Sequence, residues 1–125
     1  MIALLDTSVF IWLCKEPVKL SPRVLEICED KSNILLLSVA SVWEIQIKTQ
    51  LGKLKFEMEM IEAESAQNGL KLVSIDLTHI YGLKNLPSIH GDPFDRIIIA
   101  QARELNATVL SKDARFSSYP INVIW

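Results

Sequence analysis

The sequence predicts an α/β fold of three layers, a central parallel sheet between two layers of helices. Two short runs, Ile2–Leu5 (IALL) and Ile34–Leu37 (ILLL), are apolar without a break, as strands buried on both faces require. Each run is followed by a helical pattern that opens on an acid or a hydroxyl residue. Strands and helices then alternate along the rest of the chain, the order that gives parallel pairing. At 125 residues the chain is long enough to bury a core without metal or disulfide staples, and 1–125 reads as one domain.

The first strand ends at Asp6, and Thr7 and Ser8 start a helix through Phe10, Ile11, Trp12 and Leu13. This order places Asp6 at the carboxyl end of a strand, where open α/β sheets hold their ligands. Pro17 breaks that helix. Ser21 and Pro22 open the next as N-cap and first residue, with Val24, Leu25 and Cys28 turned inward. After the ILLL strand, Ser38 or Ser41 caps a helix that carries Val42 and Ile45 and closes at Gly52. The stretch 56–68 reads as a glutamate-rich helix with Met58, Ile61 and Ser65 on one stripe, ending at Gly69. KLVSID (71–76) reads as a third strand, followed by a small helix in LTHIYGL. A long helix starts at Pro93 and stops at Asn106. ATVLSKD (107–113) reads as a fourth strand, 116–120 as a loop and INVIW (121–125) as an edge strand.

Composition narrows the function classes. Thirteen basic and fifteen acidic residues give a net charge of −2, which argues against tight nonspecific binding to a polyanion. A nucleic acid substrate would need a local patch or a metal to hold it. No apolar run approaches the roughly 18 residues that cross a bilayer, and the start of the chain is too short and too acidic for a signal peptide, so no membrane partner and a cytoplasmic location are expected. Cys14 and Cys28, with thirteen residues between them, match no metal spacing and read as buried reduced thiols.

The most informative stretch is His90–Ala102, HGDPFDRIIIAQA. Asp92 is an N-cap, Pro93 occupies the first helical position, and Asp95 falls at the third, facing free N–H groups and the positive end of the helix dipole. Helix capping alone explains both acids. Glu44 likewise fits a capping box with Ser41 or an i,i+4 ion pair with Lys48. Asp6 and Asp113, however, end two strands whose carboxyl ends lie along one edge of a parallel sheet, and Glu44 and Asp95 lie on helices at that edge. If the four converge, two carboxylates about 5 Å apart repel by roughly 3 kcal/mol at an effective dielectric near 20. A hard divalent cation removes that conflict, and oxygen-only ligands select Mg²⁺ or Mn²⁺ over zinc. The chemistry that follows is phosphodiester hydrolysis.

HGDPFDR with its apolar IIIAQA run, LLDTSVFIWL, SVASVWEIQIK with GKL after it, and TVLSKDARFSSY resemble, in spacing and order, the PIN-domain nucleases of the VapC toxin type. The resemblance covers nearly the whole chain. It implies a PIN-like fold, a metal-binding catalytic site at Asp6, Glu44, Asp95 and Asp113, and Mg²⁺-dependent endoribonuclease activity. It further implies a toxin restrained by a VapB-like antitoxin, commonly as a homodimer. Asp92 would stand behind the acids as well as cap its helix, and Thr7 and Ser111 would supply hydroxyls beside them. Ser8 stands where this subgroup commonly has His, and Ser111 where PIN domains favour Thr. His90 matches the motif and is assigned an ordering role; His79 reads as structural or exposed. Trp12, Trp43 and the 56–61 segment are candidates for partner contact, against ordinary core packing.

Two other enzyme classes fit less well. A phosphotransfer receiver domain needs paired acids after the first strand, where Asp6 is followed by Thr7, and leaves DPFDR unexplained. A haloacid-dehalogenase-type phosphatase needs Asp at position 8, where Ser8 stands. The remaining alternative is a catalytically silent PIN-fold binding subunit, whose acids are structural.

Overall fold

A computed structural model describes residues 1–125. Five strands, β1 (Ile2–Leu5), β2 (Ile34–Ser38), β3 (Leu70–Val73), β4 (Thr108–Leu110) and β5 (Asn122–Ile124), form one sheet in the order β3-β2-β1-β4-β5. Every pairing is parallel, with Leu5 opposite both Leu37 and Leu110. Six helices accompany it: α1 (Thr7–Lys15), α2 (Pro22–Glu29), α3 (Val39–Gln50), α4 (Ile61–Gln67), α5 (Leu77–Gly82) and α6 (Pro93–Leu105).

The inner strands β1, β2 and β4 bury both faces, as the unbroken apolar runs of β1 and β2 require, while the edge strands β3 and β5 are partly exposed. Ala3, Leu5, Leu35 and Leu37 pack with Val9, Phe10, Val24, Ile45 and Ile61 from α1 to α4. Leu4, Leu36 and Val109 point the other way, onto Ile98, Ile99 and Ala102 of α6 and onto Phe116. The two clusters are the two interfaces of a three-layer α/β/α fold. No helix is long and apolar enough to cross a membrane.

The site is positioned by the strand order. From β1 the chain moves outward to β2 and β3, then returns to lay β4 and β5 on the other side of β1. Such a reversal opens a crevice beyond the carboxyl ends of the two strands that flank it, here β1 and β4. Asp6 and Ser111 are the residues that leave those ends.

Helix termini follow the sequence closely. Ser21 caps α2 through the Val24 N–H, Asp92 caps α6 through the N–H groups of Phe94 and Asp95, and Asn106 ends α6 at φ 52° in the left-handed conformation. Ser38, not Ser41, caps α3, which puts Glu44 in the second turn and removes the capping-box reading. Other boundaries also differ. The third strand is Leu70–Val73 and not 71–76: β2 ends at Ser38, the partner of Val73, so the chain beyond has no neighbour to pair with, and Asp76 caps α5 instead. The fourth strand stops at Leu110, whose carbonyl accepts the Asp6 N–H, and Asp113 caps a 3-10 turn over Ala114–Ser118 where a loop was expected. The 56–68 segment is a 3-10 turn at Met58–Met60 followed by the short α4, with Ile61 and Ser65 buried as the stripe predicts.

Candidate active site

Asp6 is the N-cap of α1, with its Oδ1 accepting the Val9 N–H at 2.8 Å, while the Ser111 hydroxyl donates to Oδ2. It therefore bridges the ends of β1 and β4, and it is almost fully buried. Burial is the largest influence on its carboxyl, and the charges of Asp95 and Asp113 add to it, pushing the pKa from 3.8 up to about 6 against the Ser111 and Val9 hydrogen bonds. Asp95, in the first turn of α6, is likewise raised to about 6, by burial first and then by the charges of Asp92 and Glu44.

Glu44 is buried on α3. The Thr7 hydroxyl donates to its Oε1 at 2.6 Å and shares a 3.0 Å hydrogen bond with Ser41, while Lys48 holds Oε2 at 3.0 Å. The ion pair read from the i,i+4 spacing is therefore present at the cleft, its Glu44 end buried and its Lys48 end exposed. Asp113 is gripped by Arg115, whose Nη2 lies 2.6 Å from Oδ2 and whose Nε lies 3.1 Å from Oδ1. That guanidinium holds the Asp113 carboxyl below its ordinary value.

All four sequence-predicted acids, together with Asp92, Thr7 and Ser8, line one cleft of about 340 Å³ at the carboxyl edge of the sheet. No three acidic, histidine or cysteine side chains are disposed as a ready cage for one ion, and Lys48 and Arg115 already pair with Glu44 and Asp113. The donor set nevertheless fits a hard divalent cation. It consists of oxygens alone, and two of its acids, Asp6 and Asp95, carry charge that burial and neighbouring carboxylates disfavour.

His90 takes the ordering role expected of it. The Tyr119 hydroxyl accepts from the His90 backbone N–H and from Arg96 Nη1, so its own proton goes to His90 Nδ1 at 2.6 Å. Nε2 then carries the ring hydrogen and donates to Asp95 Oδ2 at 3.2 Å. Arg96, Tyr119 and His90 form a directed chain that braces Asp95. His79 is structural: its Nδ1 accepts the Asp76 N–H and its Nε2 faces Glu104 at 2.9 Å.

Trp43 is 60% exposed and meets Phe94 edge-on, so it is not core. Trp12 is half-buried against the α1 side of the core. Cys14 and Cys28 are free and half-buried, less enclosed than expected; burial pushes their thiols up to about 12 and about 11. The cleft cations Lys112 and Arg115 escaped sequence reasoning. The Asp-Ala-Arg spacing of 113–115, which brings an arginine back onto a turn-capping aspartate, was the available signal.

Asp6 and Asp95 both titrate higher in the folded chain than at their ordinary 3.8, so the folded state binds more protons between about pH 4 and 6. Their contribution to stability is complete below about pH 4 and is lost as pH rises through 6. Asp113 acts oppositely, but only below its ordinary value. Metal-free protein is therefore expected to melt higher at pH 5 than at pH 7.5. Calorimetry in EDTA checks this, and a melting temperature that rises from pH 5 to 7.5 would contradict it.

The fold has close counterparts among solved structures. A chain of VapBC2 from Rickettsia felis, bound to a DNA fragment from its promoter, superposes with TM-score 0.75 at 16% identity, covering 99% of this chain and 98% of that one. A chain of DNA-bound VapBC from Salmonella typhimurium gives 0.69 at 17% identity, covering 99% and 97%. FitAcB from Neisseria gonorrhoeae gives 0.64 at 22%, covering 100% and 97%. No curated protein matches by sequence. The family model of the PIN domain matches residues 3–122, a span that includes Asp6, Glu44, Asp95 and Asp113. The chain belongs to the PIN-domain family.

Proposed function

We propose that this PIN domain is a metal-dependent endoribonuclease, the toxin of a toxin–antitoxin pair held in check by a VapB-like antitoxin. The observation that carries the reading is the gathering of Asp6, Glu44, Asp95 and Asp113 around one cleft at the strand-order reversal. Those four would hold Mg²⁺, or Mn²⁺ in its place. A bound divalent ion lowers the pKa of a coordinated water and neutralises charge that develops on a phosphoryl oxygen.

The chain's own residues supply placement. Ser111 and the Val9 N–H fix Asp6, Thr7 fixes Glu44, and the Tyr119–His90 pair fixes Asp95, so these three carboxylates do not have to be ordered during reaction. The net charge of −2 provides no general attraction for RNA, so affinity has to be concentrated at the cleft. The VapBC complexes of like fold support the antitoxin partner, and homodimer assembly belongs to the same reading.

Purified protein, freed of any copurifying partner, is expected to cut single-stranded regions of transfer or ribosomal RNA in Mg²⁺ or Mn²⁺ and to stop in EDTA. Single-stranded DNA is the specificity control. Absence of cleavage together with absence of divalent-ion binding by calorimetry would leave a PIN-fold binding subunit.

A further inference from the structure

The cleft is lined by five carboxylates and three cations, Lys48, Lys112 and Arg115, which leaves two negative charges, the charge of one divalent ion. Of these cations Arg115 is the best placed to move. Its side chain is 56% exposed, it engages both oxygens of Asp113, and its Nη2 stands 3.9 Å from Asp95 Oδ2, between two of the acids that would bind metal.

Asp113 does not depend on that guanidinium for its position. Its Oδ1 accepts the Arg115 backbone N–H at 2.9 Å as the cap of the 3-10 turn, and its own N–H donates to Ser111 Oγ at 3.0 Å. The guanidinium can leave while the carboxylate stays. Once free, its planar fork matches the paired oxygens of a phosphate, which an ammonium does not.

We propose that Arg115 is an exchangeable counter-ion, neutralising Asp113 in the metal-free cleft and turning to a phosphate of the bound RNA strand when a divalent ion takes Asp113. The proposal rests on the nuclease reading and names a substrate-binding residue for it.

Arg115→Gln removes the competitor, so Mn²⁺ alone, titrated by calorimetry, is expected to bind about two- to five-fold tighter than to wild type, the scale of an exposed ion pair. A single-stranded RNA oligonucleotide, with Ca²⁺ in place of Mg²⁺ and its integrity checked on a gel, is expected to bind more weakly to the variant. The slope of log affinity against log salt should fall by about 0.7, the loss of one phosphate contact on a single strand. Arg115→Lys, which keeps the charge and loses the fork, is expected to keep the slope and recover only part of the affinity. Mn²⁺ affinity unchanged or weakened in Arg115→Gln overturns the counter-ion role, and unchanged oligonucleotide affinity and slope overturn the phosphate contact. Wild type that binds Mn²⁺ while either result is negative leaves the nuclease reading standing; wild type that binds none removes both.

Discussion

Asp6→Asn is expected to lower RNA cleavage by about 10³-fold while making the metal-free protein more stable. The loss follows from the position of Asp6 between β1 and β4, where its charge would hold the metal that contributes several kcal/mol to the transition state. The gain follows from burial. An acid raised from 3.8 to about 6 is ionised at pH 7.5 at the expense of the fold. Asparagine caps a helix about as well as aspartate and keeps an acceptor for the Val9 N–H, and its amide can donate to Ser111. Removing the charge should therefore add about 1–2 kcal/mol at pH 7.5, after the weaker hydrogen bonds of a neutral group are subtracted. At pH 3.5, where the acid is protonated in the folded and mostly also in the unfolded chain, that advantage should vanish. Divalent metal should reverse the ranking, since an ion at 100 times its Kd stabilises wild type by about 2.7 kcal/mol and the variant by much less. Melting curves at both pH values, with and without Mg²⁺, test all four combinations. A variant that is less stable than wild type in EDTA at pH 7.5 would show Asp6 to be structural.

The parts of the site that are local in sequence were legible there. An Asp-Pro start, an acid at the third helical position and an Asn stop define α6 because capping involves residues within one turn of each other, and the structure places all three as read. Asp6 was legible as the end of a buried strand, though not as the cap of the helix after it. Hydrophobic pattern says that a strand is covered on both faces but not which strand is its neighbour, so the insertion of β4 beside β1, which forms the cleft, came only with the fold. The error at β3 has the same origin: Ser74–Asp76 continue a plausible strand pattern, and pairing ends because β2 ends. Trp43 shows the limit for aromatic residues. It lies one residue from buried Glu44 and packs on Phe94, yet is exposed, because neighbouring helical positions are about 100° apart and only one of the two can face inward. Arg115 was missed for a different reason. A basic residue beside an acid is ordinary on any surface, and only the cleft gives this pair chemical meaning.

Phe116→Ala is expected to cost about 3–5 kcal/mol of stability and, separately, to impair the site at temperatures where the protein remains folded. The ring is 1% exposed and packs with Leu4, Ile98 and Ile99 beneath α6, so truncation leaves a cavity in the smaller of the two core clusters. That loss is a large share of the 5–15 kcal/mol typical of a domain. Phe116 also anchors the 3-10 turn that presents Asp113 and Arg115: its N–H donates to the Asp113 carbonyl, and its carbonyl accepts from Tyr119, the residue that orients His90. A loosened turn misplaces both the acid and the brace on Asp95, and displacement of about 1 Å in a catalytic group can cost up to 100-fold in rate. Ile27→Ala separates the two effects. Ile27 lies on α2 in the opposite cluster, away from the cleft, and should lower stability by about 2–5 kcal/mol with cleavage per folded molecule unchanged. Phe116→Leu, which refills most of the volume, should recover most of the stability and the rate. Denaturant titrations paired with initial cleavage rates at 15 °C make the comparison. Equal rates per folded molecule for Phe116→Ala and Ile27→Ala would reduce Phe116 to a core residue with no part in holding the site.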